Sequence, residues 1–344
     1  MVTATDDQDS QKINVKASNP GGQTITILDD RGQYITVPYP VKNVVFLVEN
    51  AMNSMYALNG ADKISGIGSI WMPEKKEPFF RAIDPGYDEK PKILNENGKV
   101  DLQTLAKADP DLVVLWSADW NDETTTAIRD TLKVPVYGVF YTKLSDVSRA
   151  NNVYAKITGN ENREAEVSAV MGEYTRKVTD KTGTLQDQDR PTVYWMWGDI
   201  LGTAGLNSAT NELIRLAGGE NVIEMGDFEG KLLEHPVITL DLLKKWNPDV
   251  IYLWYNPEID PSDVMSGEGE FAGWKDLKAV KNGRVYEVSD PFAYDSFSPQ
   301  QSLALMAIAK DLHPELFKDV NLDDLTDSFF EKIYGVHYPD FAAA

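Results

Sequence analysis

The stretch Asp101-Leu-Gln-Thr-Leu-Ala-Lys-Ala-Asp-Pro110-Asp-Leu-Val-Val-Leu-Trp116 decides how this chain is read, because it occurs twice. The second copy, 138 residues further on, is Thr239-Leu-Asp-Leu-Leu-Lys-Lys-Trp-Asn-Pro248-Asp-Val-Ile-Tyr-Leu-Trp254. Leu102/Leu240, Leu105/Leu243, Lys107/Lys245, Pro110/Pro248, Asp111/Asp249, Leu115/Leu253 and Trp116/Trp254 coincide. Each copy predicts a short helix, a Pro-Asp turn and a strand ending on Trp. The helix must stop before the proline, whose ring disfavours a helical residue ahead of it. The apolar run that follows is short and continuous, as in a parallel strand covered on both faces. Two such units predict two similar α/β lobes with a cleft between them.

A weaker match sets Ala51-Met-Asn-Ser-Met-Tyr-Ala-Leu-Asn-Gly60 against Ala209-Thr-Asn-Glu-Leu-Ile-Arg-Leu-Ala-Gly218. Both predict amphipathic helices ending at glycine. Their offset is 158, so the first lobe holds about twenty extra residues, assigned to a loop around Trp71-Met-Pro-Glu-Lys-Lys76. The first lobe reads as a hairpin over 24–40, strands over 44–48, 64–67, 112–116 and 136–141, and helices over 51–58 and 122–132. The second has strands over 192–197, 250–254 and 285–289 and helices over 209–217 and 239–246, then closing helices over 299–311 and 323–334. Ser298-Pro299 predicts the start of the first of these, with Ser as cap. Val167, Val170, Met171, Tyr174 and Val178 form one apolar stripe on a long helix between the lobes. The predicted fold is α/β: two Rossmann-like lobes with mainly parallel sheets, joined by one long helix. The boundaries read as a disordered tether (1–23), an N-terminal lobe (24–160), a linking helix (161–185) and a C-terminal lobe (186–338).

A chain of 344 residues suits two domains, each with its own core. A net charge of -21 argues against nucleic acid as a partner. The absence of cysteine excludes disulfides, thiolate metal sites and cysteine nucleophiles. The histidines are His235, His313 and His337, and no paired-histidine metal motif, phosphate-binding loop or nucleophile elbow occurs. No catalytic residue, resident metal or cofactor is therefore assigned.

In open parallel sheets ligands bind beyond the carboxyl ends of the strands. Those ends carry Glu49, Trp71, Trp116, Trp120, Tyr141, Trp197, Trp254, Tyr255 and Tyr294, and six of the eight tryptophans lie at or near them. Trp116 and Trp254 read equally well as plugs of the sheet rim. Trp71, Trp120 and Trp197 stand in loops or beside glycine and read as ligand contacts. Lys75, Lys76 and Lys143 are the basic residues there, against Glu49, Asp119, Asp199, Glu258 and Asp295, each of which taken alone reads as a helix cap or solvated group ahead of a ligand contact. His235 enters the repeated helix of the second lobe and is read as a loop histidine, with contact to a ligand or its metal as the alternative. Such an aromatic cleft with few charges of one sign suits a large, flat or apolar ligand.

Together with "NELIRLAGGENVI" from Asn211 and "FAGWKDLKAVKNGRVYEV" from Phe271, the repeated units resemble the substrate-binding proteins of ABC importers for iron–siderophore complexes, haem and cobalamin, over about residues 24–335. The resemblance implies a monomer outside the cytoplasm, lipid-anchored in its native form, that captures a metal chelate and delivers it to an ABC permease. A ferric siderophore is the first expectation and a corrinoid or haem the second. The family's anchor cysteine does not occur here. The resemblance also implies permease docking through a glutamate seven residues before each Pro-Asp turn. Those positions are Gln103 and Asp241, so the charge is kept only in the second lobe. In cobalamin-binding members, aromatic residues at the positions of Trp116 and His235 lie against the corrin. An enzyme of the chelatase or nitrogenase type, with related lobes, is the rival class. It needs cluster cysteines or a partnered catalytic histidine.

Overall fold

The two copies of the repeated unit fold alike, and each organises one sheet. The computed structural model describes residues 15–16, 22–68, 70, 73–226 and 228–338. Most of the expected tether, and Trp71, lie outside them. The chain begins with an antiparallel sheet of β1 (Val15–Lys16), β2 (Gln23–Leu28) and β3 (Tyr34–Tyr39). The first lobe follows as β4 (Val44–Phe46), α1 (Glu49–Ala57), β5 (Ile64–Ile67), α2 (Pro73–Ile83), α3 (Leu102–Lys107), β6 (Leu112–Trp116), α4 (Glu123–Ala127) and β7 (Val136–Val139). Next come α5 (Leu144–Thr158) and the long α6 (Glu161–Thr182). The second lobe runs β8 (Thr192–Trp197), β9 (Asp199–Thr203), α7 (Ala209–Leu216), β10 (Glu220–Asn221), α8 (Leu240–Trp246), β11 (Val250–Leu253), α9 (Pro261–Ser266), α10 (Lys278–Lys281) and β12 (Val285–Glu287). The buried α11 (Gln301–Leu312) and α12 (Leu322–Tyr334) close the chain.

The first sheet has the order β5-β4-β6-β7 and the second β10-β8-β11-β12, all parallel, with β9 added antiparallel to β8. The Pro-Asp strands β6 and β11 lie inside their sheets and are buried along their length, apart from Trp116 at the end of β6. The repeat has a local physical cause. Asp101 and Thr239 cap α3 and α8 by accepting backbone N–H bonds. Asp109 and Asn247 end them in the left-handed region (φ 45° and 49°), a conformation these short polar residues tolerate and one that avoids the helical state forbidden before proline. Asp111 then accepts the backbone N–H groups of Lys42 and Asn43 (2.8 and 3.0 Å), and Asp249 that of Thr192 (2.9 Å). In each lobe the aspartate pins the start of the neighbouring strand.

Four details differ from the sequence reading. The extra residues of the first lobe include α2, where a loop was expected. Its Phe79 and Phe80 are buried, and Phe79 meets Phe292, Phe330 and Tyr334 at 4.9, 5.5 and 5.1 Å. Helix α5 and strand β9 were not anticipated. After α1 it is Asn59, not Gly60, that turns left-handed (φ 58°), whereas after α7 Gly218 does so (φ 92°). Helix α11 begins at Gln301, because Ser298 caps a tight turn whose carbonyl accepts from Gln301 N–H.

The stripe on α6 packs as expected, with Val167, Met171, Tyr174 and Val178 buried. The helix is not the sole link between lobes. One continuous core runs from Phe46 and Val114 through Tyr174 and Leu305 to Trp195 and Tyr252, while smaller cores cover the outer face of each sheet. Arg163, on α6, donates to the carbonyls of Lys332 and Ile333 at the end of α12 (3.2 and 2.6 Å).

Candidate functional site

The segments leaving β4, β8, β11 and β12 meet around a cavity of about 340 Å³ between the lobes. Leu47, Val48, Glu49, Asn50 and Lys76 supply the first-lobe wall, and Trp197, Trp254, Pro291, Asp295 and Phe297 the second. The helix read as a loop matters here, since α2 delivers Lys76. Its ammonium lies 2.5 Å from the Glu49 carboxylate at the start of α1, and both side chains are about nine-tenths buried. Asn50 crosses the seam and donates to Asp295 at 2.6 Å, and Asp295 also accepts from Phe297 N–H at 2.9 Å. Burial raises the Asp295 carboxyl above its ordinary range, against the lowering influence of that N–H, Lys76 and Asn50. Among the described lining residues one cation thus faces two carboxyl groups.

The opposite wall is aromatic. Trp254 lies 5.3 Å from Trp197, and the Trp197 ring stacks flat on His235 (4.6 Å, 5°). His235 is half-buried, with Nε2 3.4 Å from Glu234. This places Glu49, Trp197, Trp254 and, one layer behind, His235 together.

The other sequence candidates stand elsewhere. Trp116 lines a neighbouring cavity of about 430 Å³ on the first lobe that shares Leu47 and Val48 with the cleft, and its ring is edged by Phe297, Tyr141 and Phe140 at 5.4, 5.5 and 5.8 Å. Tyr141 is buried in that packing. Trp120 is held between the guanidinium groups of Arg31 and Arg129 (4.9 and 4.8 Å). Tyr294 lines a cavity within the second lobe, with its hydroxyl 3.3 Å from that of Thr326. Tyr255 is half-buried beside Trp254. Phe297 had no signal in the sequence beyond its nearness to the Asp290–Asp295 segment. Gln103 and Asp241 are both exposed in the first turns of α3 and α8, at equivalent positions.

The sequence profile of the periplasmic binding proteins matches residues 44–291, which span both Pro-Asp units and both sheets. The chain belongs to the periplasmic binding protein family. This periplasmic binding protein is 23% identical over 339 residues to the molybdate-binding protein MolA of Haemophilus influenzae, covering 92% of this chain and 93% of the relative. It is 24% identical over 302 residues to the iron(3+)-hydroxamate-binding protein FhuD of Bacillus subtilis, covering 83% and 85%. Among solved structures, MolA bound to molybdate superposes with a TM-score of 0.72 at 21% identity over 91% of this chain and 98% of that one. Helicobacter pylori CeuE with Ni(II) bound also gives 0.72, at 17% identity over 92% and 98%. At these identities the likeness of structures establishes the fold. Family membership makes this an extracytoplasmic substrate-binding protein of ABC transporters and not an enzyme. No helix among the described residues is long and apolar enough to cross a membrane.

Proposed function

We propose that the protein captures a metal chelate of neutral or positive charge between its lobes, a ferric trihydroxamate siderophore above all, and delivers it to an ABC permease. The observation behind this is the pairing of charges in the cleft. Its one described cation, Lys76, is already bound to Glu49, and Asp295 adds a further carboxyl group. A free oxyanion such as molybdate needs several uncommitted donors, typically Arg forks or N–H groups. Three hydroxamates neutralise one ferric ion and enclose it in an organic shell, which suits the Trp197–Trp254 wall. The hydroxamate-binding relative supports the same chemistry. In this reading Glu49, Trp197 and Trp254 contact the ligand, His235 backs the Trp197 ring from behind, and Gln103 and Asp241 face the permease. Attachment by a lipidated N-terminus belongs to it as well, as in the Bacillus subtilis relative YvrC, described as a substrate-binding lipoprotein.

The test is native mass spectrometry and tryptophan emission with a neutral ferric trihydroxamate, a trianionic ferric triscatecholate, molybdate, the nickel–histidine complex, haem and a corrinoid. The trihydroxamate should bind and quench strongly, while molybdate and the triscatecholate do not. Tight molybdate binding without any response to the trihydroxamate contradicts the proposal.

A further inference from the structure

The second lobe holds a cavity of about 310 Å³ that shares no lining residue with the inter-lobe cleft. Its origin lies in α11. Ala304, Ala307, Ile308 and Asp311 fall at i, i+3, i+4 and i+7, so they form one stripe, and two alanines leave space where larger residues would fill the core. Across from them stand Val285, Tyr286, Glu287 and Val288, with Tyr252 as the floor, Tyr294 at one side and exposed Ser289 at the mouth. Three tyrosines and two acidic residues therefore line one hollow, with the far face of the Tyr252 ring stacked on Trp195 (5.0 Å, 3°), and no Lys, Arg or His is among the described lining residues.

Among the described residues, Asp311 and Glu287 form no ion pair. Asp311 accepts a bond from the Tyr252 hydroxyl at 2.9 Å. The nearby Arg284 is occupied by the carbonyls of Asp311 and Leu312 (3.4 and 2.9 Å), and Lys310 by those of Phe317 and Val320 (3.3 and 2.6 Å). Burial pushes the Asp311 carboxyl up to about 6, in spite of Tyr252, Lys310 and Arg284. Burial, with Asp260 adding to it, raises Glu287 too. Asp311 thus feels Lys310 and Arg284 without pairing with either, and Glu287 has no ion-pair partner among the described residues, in a low-dielectric, aromatic surrounding.

We propose that this cavity is a second binding site, for a small organic ammonium ion held by the faces of Tyr252, Tyr286 and Tyr294 and the carboxylates of Glu287 and Asp311. Aromatic faces attract such cations, and methyl groups on the nitrogen suit the alanine stripe. This site does not depend on what the inter-lobe cleft binds.

Isothermal titration with choline, and with its uncharged isostere carrying tert-butyl in place of trimethylammonium, tests the proposal. Choline should give a saturable heat and raise the melting temperature, with the isostere at least about tenfold weaker. Ala307→Leu should fill the cavity and abolish the heat while leaving the chelate response of the inter-lobe cleft intact. Asp311→Asn should weaken choline binding several-fold without lowering the melting temperature. The proposal is overturned if the parent protein shows no saturable heat at millimolar choline, if the isostere matches choline, or if Ala307→Leu still binds it. Should Ala307→Leu fail to fold, an unchanged choline affinity in Asp311→Asn overturns it equally.

Discussion

Trp116 and Trp254 hold the same position in two copies of one unit, yet the two lobes put them to different use. The first is edged by Phe140, Tyr141 and Phe297 and lines the neighbouring cavity of the first lobe. The second stands beside Trp197 on the wall of the cleft. The backbone around them is conserved between the lobes by the same devices: a capped helix, a left-handed residue, a proline and an aspartate that pins the next strand. What differs is supplied from outside the unit. Phe297 comes from the segment after β12, and His235 from the loop before α8. A duplicated scaffold thus fixes where a side chain emerges, and distant segments decide how tightly it is packed and which cavity it lines.

The largest effect expected from this difference is on stability. Trp116→Ala should lose about 3 kcal/mol in denaturant unfolding, as a packed aromatic among three others. Trp254→Ala should lose less than half of that but weaken chelate binding by about tenfold, or ~1.4 kcal/mol. Equal stability losses in the two variants would break the comparison.

A smaller effect concerns the pinning aspartates. Asp111→Ala and Asp249→Ala should each cost about 1–3 kcal/mol, because a strand-start N–H loses its acceptor. The loss in Asp249→Ala should also depend on pH. Burial alone would raise the Asp249 carboxyl, but Lys278 and the two Thr192 donors hold it below its ordinary value. A depressed folded pKa gives stability that is present above the unfolded value, near 3.9, and lost as pH falls through the folded one. Parent protein should therefore shed part of its advantage over Asp249→Ala below about pH 4. Melting curves from pH 7 downward that stay parallel would remove Lys278 from the account.

Docking should show the next smaller contrast. Asp241→Ala should reduce stimulation of a reconstituted transporter while leaving chelate affinity unchanged, since a charged contact is stronger than a neutral one. Gln103→Glu should leave stimulation intact or raise it. Parent-like stimulation by Asp241→Ala would place the permease contact elsewhere. The smallest change expected is in overall shape. With α6, the shared core and the Phe79 cluster all joining the lobes, scattering radii with and without chelate should be nearly equal, and a clear contraction would count against that rigidity.

The repeated unit was legible because its determinants are local: proline, capping residues and a short apolar run. The stripe on α6 was legible for the same reason. Helix α2 was not, since Pro73, Pro78 and five charged residues interrupt its apolar pattern, and Phe79 finds its partners some 210 residues away in Phe292 and beyond. At the site, Glu49, Trp197 and Trp254 could be read from strand ends. The setting of Trp120 could not, because Arg31 reaches it only after the N-terminal hairpin docks on β7 through Asp30 and Gly138. Charge pairing is likewise tertiary: the sequence places Lys76 among the few basic residues near the strand ends, and the fold pairs it with Glu49.

The central claim is that a metal chelate sits between the Trp197–Trp254 wall and the Glu49–Lys76 and Asn50–Asp295 pairs. Anomalous scattering at the iron edge, from crystals grown with a neutral ferric trihydroxamate, tests it most directly. The account predicts a single iron peak in the inter-lobe cavity, with Trp254 against the chelate. A peak in the Trp116 cavity of the first lobe, or no ordered iron under saturating chelate, would contradict it.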